Sequence, residues 1–209
     1  MKTQKIIRIL IADDHAIVRM GLTSLISAQK DMEVVGEAEN GLMAVSETCR
    51  LSPDVVILDL MMPQMDGSTA TAEIRRLAPE SKVVILTSFV TSDSIAHALD
   101  NGASGVVMKN SPNADLLDTI RRVTAGEQSI PPAIAKLLRE DPPVQEMTAR
   151  QLEILSLMAE GLTNSDISKA LDICEQRVKE HVISILAKIG AANRTEAVAI
   201  AFKKHLLNS

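Results

Sequence analysis

The run Val55-Val56-Ile57-Leu58-Asp59-Leu60-Met61-Met62-Pro63-Gln64-Met65-Asp66-Gly67 decides the fold. Its first four residues are all apolar, which reads as a strand covered on both faces, because a strand with one wet face would alternate polar and apolar side chains. An aspartate follows at once, and Pro63 and Asp66-Gly67 then break the strand pattern and read as a turn. In open α/β sheets, ligands sit beyond the carboxyl ends of parallel strands, where Asp59 stands.

Working outward, the same pattern recurs. Ile6 to Ala12, Glu33 to Ala38, Val83 to Thr87 and Gly105 to Met108 are further candidate strands. Val18, Leu22, Leu25 and Ile26 recur at helical spacing, and similar patterns fall at 41–50, 68–78, 92–101 and 113–125. Strands alternating with helices predict five β-α units, a doubly wound five-stranded parallel sheet of the flavodoxin-like kind. Gly102 and Gly126 suit helix C-terminal caps, and Ser111 with Pro112 suits an N-cap and first helical position.

This first domain is expected over 1–125. From 126 to 145 the pattern breaks, with Pro131, Pro132, Pro142 and Pro143 bracketing a short helix, Ala133 to Glu140, and this stretch reads as a linker. Over 146–209 the chain turns wholly helical. Thr148 and Gln151 form a capping box, Gly161 stops that helix, and further helices are expected at about 164–171 and 175–189, with a fourth from Asn193. Only Asp172 to Cys174 separates the second from the third, the spacing of a helix-turn-helix. The fold class is therefore α/β plus all-α.

Hydrophobic residues make up 46% of the 209 and charged residues 23%, which excludes a disordered chain. No apolar run approaches the ~18 residues that span a bilayer, so a cytoplasmic protein without membrane contact is expected. Cys49 and Cys174 stand far apart in no metal-ligand spacing and read as reduced thiols. The net charge of −5 is uneven: residues 1–144 carry 14 basic and 19 acidic side chains, whereas 145–209 carry 8 of each. A neutral helical half binds nucleic acid weakly as a monomer and depends on pairing.

Asp13 and Asp14 follow the first strand, Asp59 the third, Thr87 ends the fourth and Lys109 follows the fifth, so all five fall on one sheet edge. Singly, Thr87 is an ordinary strand-end hydroxyl and Lys109 a solvated charge; their convergence on three acids is what carries chemistry. Gathered carboxylates repel by on the order of 4 kcal/mol per pair at ~4 Å. A hard divalent cation with oxygen ligands, Mg²⁺, compensates and leaves room for a phosphoryl group on which Asp59 acts as nucleophile, with Lys109 neutralising charge.

ILIADDHAIVRMG, VVILDLMMPQMDG, VVILTSF and the lysine of GVVMK resemble, in order and spacing, the CheY-like receiver domain. The resemblance implies that Asp59 is phosphorylated by a sensor histidine kinase, that Asp13, Asp14 and the backbone carbonyl of Met61 bind Mg²⁺ with it, and that Thr87 and Lys109 contact the phosphoryl group. Two departures matter. Many receivers carry Tyr or Phe three residues before the lysine, a ring that swings inward on activation; here Val106 stands there, so the signal must travel differently. Met61 and Phe89 are bulky enough to hinder water attack, which predicts slow self-dephosphorylation and no other enzymatic activity.

MTARQLEILSLMAEGLTNSDISKAL, with VKEHV, ILAKIG and NRTEAV, resembles the LuxR-type helix-turn-helix of the NarL/FixJ family. With the receiver, that similarity covers nearly the whole chain and implies a regulator that dimerises on double-stranded DNA when phosphorylated. Val178, Val182, Ile185 and Ile189 form the inward face of the third helix, leaving Arg177, Lys179, Glu180, Ile183, Ser184, Ala187 and Lys188 outside. Arg177, Lys179, His181, Lys188 and Arg194 are the candidate DNA contacts. Cys174 replaces the usual serine N-cap, Arg177 the usual threonine, and Glu180 and Ile183 stand where relatives often reach bases, so sequence preference does not transfer. Two other readings compete. A regulator acting through a partner protein fits the neutral helical half. A metal-dependent phosphohydrolase using Asp59 as nucleophile needs a positioned general acid or base and a substrate pocket or cap, and the sequence offers no candidate beyond Asp13 and Asp14 and no cap insertion.

Overall fold

The computed structural model describes residues 5–88, 91–141, 143–144, 147–204 and 206–207. The chain divides into two compact units, 1–142 and 143–209. In the first, β1 (Ile7–Ala12), α1 (Ala16–Ser27), β2 (Met32–Ala38), α2 (Gly41–Leu51), β3 (Val55–Leu58), α3 (Gly67–Leu77), β4 (Lys82–Thr87), α4 (Ser92–Asp100), β5 (Gly105–Met108), α5 (Asn113–Thr124) and α6 (Pro132–Glu140) follow one another. The strands pair in parallel in the order β2-β1-β3-β4-β5.

The unbroken apolar runs have a direct cause. Leu10, Ala12, Val56, Leu58, Val83, Ile85 and Val106 pack on one face of the sheet with Ala44, Ala70, Ile74 and Ile95. Ile9, Ile11, Val55, Ile57, Val84, Leu86 and Val107 alternate onto the other face, against Ile26, Leu116 and Ile120. Each strand therefore feeds two cores at period two, and each fully buried Ile or Leu contributes about 2–3 kcal/mol. Gly102 and Gly126 take φ of +98° and +89°, as C-terminal stops require.

Three expectations are revised. The N-cap of α5 is Pro112 rather than Ser111, and no side chain caps it. Asp66-Gly67 is not merely a turn: Asp66 caps α3, its Oδ1 accepting from the Thr69 amide at 2.7 Å, and Gly67 is the first helical residue. The stretch 126–145, read as a linker, is folded onto the first unit over most of its described length. Ser129 bridges Gly105 in parallel and accepts from the Val106 amide at 3.0 Å. Ile134 of α6 is 3% exposed within the core that holds Val106.

The second unit contains α7 (Ala149–Ala159), α8 (Asn164–Ala170), α9 (Glu175–Ile189) and α10 (Arg194–Lys203). Thr148 and Gln151 form the expected capping box, and Thr163 with Asp166 forms another ahead of α8. Ile154, Leu155, Met158, Ile167, Val178, Ile185, Ile189, Ala197 and Ala201 make its core. Cys174 caps α9 with no side-chain hydrogen bond. Among the described residues no helix is long and apolar enough to cross a membrane.

Candidate functional site

The backbone that builds the sheet also delivers the acidic site. The Asp59 amide donates to the Ala12 carbonyl at 2.9 Å and the Lys109 amide to the Thr87 carbonyl at 2.9 Å, each carrying the ladder one step beyond the strands. Asp13 is anchored the same way, its amide on the Ala38 carbonyl at 3.1 Å. Asp13, Asp59 and Thr87 are buried, while the Asp14 side chain is about one-third exposed at the mouth.

Lys109 joins the two buried acids. Its Nζ donates a hydrogen bond to Asp59 Oδ2 at 2.8 Å. It also lies 2.6 Å from Asp13 Oδ2, but as a charge contact, off the angles of a hydrogen bond, so that buried oxygen accepts none. Burial pushes the Asp59 carboxyl above the ordinary carboxylate range; Lys109 pulls against it by hydrogen bond and charge, Asp13 adds to the push, and the Met61 N–H opposes it. Burial also works against the Lys109 ammonium, yet Asp13 and Asp59 outweigh it and hold the lysine above its usual value.

Of Met61, the structure thus brings the backbone N–H to Asp59, while its side chain is 64% exposed. Phe89, the second residue expected to screen the site from water, lies outside the described residues. Residues that the sequence reading passed over also converge here. His15 Nδ1 lies 2.7 Å from Asp14 Oδ1 and 3.3 Å from Asp13 Oδ1, and the three side chains form a cluster with metal-ligand spacing. Arg19 donates to the Asp13 carbonyl at 2.7 Å and pairs with Glu37 at 3.1 Å. Gly67, read from the sequence only as part of a turn, also stands here: a Cβ built on it would lie 2.1 Å from the Asp59 carbonyl oxygen. The available signals were a histidine next to two acids and a glycine at a fixed distance from the nucleophile.

In the second unit, α9 buries Val178, Ile185 and Ile189 and presents Arg177, Lys179, Glu180 and Ile183 outward. The candidate contacts differ in how committed they are. Arg177 has no ion pair among the described residues, whereas Lys179 lies 3.1 Å from Glu175. Lys188 donates to Gln151 Oε1 at 2.9 Å, and Gln151 Nε2 donates to Ser184 at 2.9 Å, so two positions of α9 are tied to the α7 cap. His181 is half-buried. Arg194 is half-buried too; its guanidinium donates to the Leu162 carbonyl and at 3.5 Å to Asn164, and burial pulls its pKa down.

A family model for the response regulator receiver domain matches residues 9–121, and one for bacterial regulatory proteins of the luxR family matches 145–201. The transcriptional regulatory protein LiaR of Bacillus subtilis is 40% identical over 210 residues, spanning 97% of this chain and 100% of that protein. Among solved structures, the response regulator ChrA of a heme-sensing two-component system aligns at TM-score 0.57 and 35% identity over 97% of this chain and 99% of that one. The response regulator RcsB in complex with DNA aligns at TM-score 0.68 and 26% identity over 96% and 99%. A buried acid pair bridged by lysine at the strand ends, two matched family models and full-length relatives lead to one assignment: the chain is a response regulator of the NarL/FixJ family, a receiver followed by a LuxR-type helix-turn-helix domain.

Proposed function

We propose that Asp59 accepts a phosphoryl group from a sensor histidine kinase and that the modified chain pairs with a second copy on double-stranded DNA to regulate transcription in the cytoplasm. The observation that carries this reading is the buried Asp59 carboxylate with the Lys109 ammonium 2.8 Å away at the ends of β3 and β5. An Asp59 oxygen attacks phosphorus, the bond from phosphorus to the donor's leaving group breaks, and an acyl phosphate forms. Lys109 neutralises the phosphoryl oxygens, and the Thr87 hydroxyl donates to one of them.

The donor set is all oxygen, and the Asp13 oxygen that accepts no hydrogen bond suits a hard cation. Asp13, Asp14, Asp59 and the Met61 carbonyl would hold Mg²⁺, which when bound supplies charge neutralisation for the transfer. The chain then loses the group slowly by hydrolysis and turns over no substrate of its own. On the DNA side α9 enters the major groove, with Arg177, Lys179 and His181 foremost and Lys188 and Arg194 nearer its ends. The first unit, with the segment after α5 folded onto it, carries the chemistry, and residues 146–209 carry the DNA contact. The solved RcsB complex with DNA supports this reading.

Labelled acetyl phosphate with Mg²⁺ tests the first half: the wild type takes up label and Asp59→Ala does not. Equal labelling of both overturns it. A shift assay on duplex DNA at low salt tests the second half, and complete absence of binding by the phosphorylated chain favours a regulator that works through a partner protein.

A further inference from the structure

The segment after α5 is a strap laid across α4. Residue 129 extends the sheet beside β5, and Ile134 then drops into the core with Ile95 and Ala98 of α4 and with Val106. At the far end, the Ser92 hydroxyl, buried in the first turn of α4, donates to the carboxylate of Asp141 at 2.8 Å. Asp141 is the C-cap of α6.

Two features give this contact a role. Ser92, the first residue of α4, lies only five residues beyond Thr87, the site hydroxyl that ends β4, so the strap's seat is close in sequence to the site. Val106 occupies the position where many receivers keep a movable ring, and it is wholly buried under α4 and α6. A small β-branched side chain packed there has no second position to swing to. The strap packs on α4 beside it, and a helix of only nine residues does not persist in water without its seat.

We propose that α6 is a strap held on α4 by the Ser92–Asp141 bond in the unmodified chain, and that phosphorylation unseats it. The inference rests on the phosphoacceptor reading of Asp59. When Thr87 is drawn to the phosphoryl group, the first turn of α4 shifts, Ser92 parts from Asp141, and α6 loses that contact at its C-terminal end. Residues 132–140 span about 13 Å as a helix and about 30 Å extended, so release lengthens the tether ahead of the second unit. A longer tether lets that unit reach a partner copy on DNA, at an effective concentration set by its length.

Hydrogen exchange of residues 132–141 in the full-length protein tests this, with Asp59 phosphorylation measured on the same samples by retarded gel mobility. Acetyl phosphate with Mg²⁺ raises exchange in the wild type by about five- to tenfold, as loss of one part-buried hydrogen bond predicts. Ser92→Ala and Asp141→Asn show the faster exchange without any phosphoryl donor, and phosphorylation adds little to it. Phosphorylated Asp59 with unchanged exchange at 132–141 overturns the strap and leaves the phosphoacceptor reading standing. Exchange in both variants equal to the unmodified wild type also overturns it. Absence of phosphorylation overturns the parent reading and with it the release step, and the two variants still decide whether the bond seats α6.

Discussion

Replacing Gly67 by alanine tests the link between α3 and the nucleophile. The added Cβ would stand 2.1 Å from the Asp59 carbonyl oxygen and 2.9 Å from both the Asp59 carbonyl carbon and Leu60 Cα. Backbone atoms cannot rotate aside as a flexible side chain would, so α3 and the β3 exit must separate by about 1 Å before contact distances are restored. Overpacking of this kind costs about 1–3 kcal/mol. The same movement stretches the 2.9 Å bond from the Gly67 amide to the Leu60 carbonyl, for about 1 kcal/mol more. Alanine returns at most about 1 kcal/mol through helix propensity, leaving a net loss near 2 kcal/mol and a melting temperature lower by about 8 °C. Displacing the Asp59 backbone also misplaces its carboxylate against Lys109, which slows phosphoryl uptake by about ten- to a hundredfold. Circular dichroism melts and time courses of labelling from acetyl phosphate read the two effects. Gly21→Ala is the control: in the middle of α1, its added Cβ meets no described atom within 4 Å apart from its chain neighbours and its own helix backbone, and the change stabilises by about 0.5–1 kcal/mol. A Gly67→Ala protein that melts and labels like the wild type refutes the steric argument.

Further outcomes are expected. Lys109→Ala leaves the buried Asp13 and Asp59 carboxylates without their shared cation and cuts the labelling rate by more than tenfold while the fold stays intact by circular dichroism; unchanged labelling removes Lys109 from the site. Asp54 opposes burial through Lys5 and the Arg8 amide, which hold its carboxyl below the ordinary range. Its stabilisation is therefore present above the unfolded value of about 3.9 and is lost as pH falls through the lower folded value. Asp54→Asn should cost about 1–2 kcal/mol at pH 7 and progressively less towards pH 2, and a deficit independent of pH would show that the charge is not responsible. On DNA, Arg177→Ala should lower the salt dependence of log K by about 0.9 per copy, and Lys179→Ala by less because Glu175 already offsets its charge. Identical slopes for wild type and Arg177→Ala would take that residue off the phosphate backbone.

Much of the first unit was legible because two cores on one sheet force strands that are apolar at every position. Val55–Leu58 and Gly105–Met108 are placed to the residue, and the other three strands to within one. The acidic site was legible because strand ends are, and Asp13, Asp59, Thr87 and Lys109 each follow from a strand boundary. What failed depended on through-space contact. Pro131 and Pro132 look like linker punctuation, yet fixed φ angles also suit a helix start, and only the docking of Ile134 shows which use the chain makes of them. Asp66-Gly67 reads as a turn because its reason lies across space, in the Asp59 carbonyl. Gln151 illustrates the same limit in the second unit. Its capping role was evident from spacing, whereas its hold on Ser184 and Lys188 of α9 needed the fold.

The covering of β5 bears on where this protein can safely be cut. Because the Ser129 amide donates to the Ser104 carbonyl at 2.9 Å and the Ser129 carbonyl accepts from Val106, one margin of the sheet is already occupied by the chain itself. A fragment ending at residue 125 would bare that margin to edge-to-edge pairing and leave a hole where Ile134 sat. Such a fragment would aggregate on concentration, and one ending at residue 141 would not.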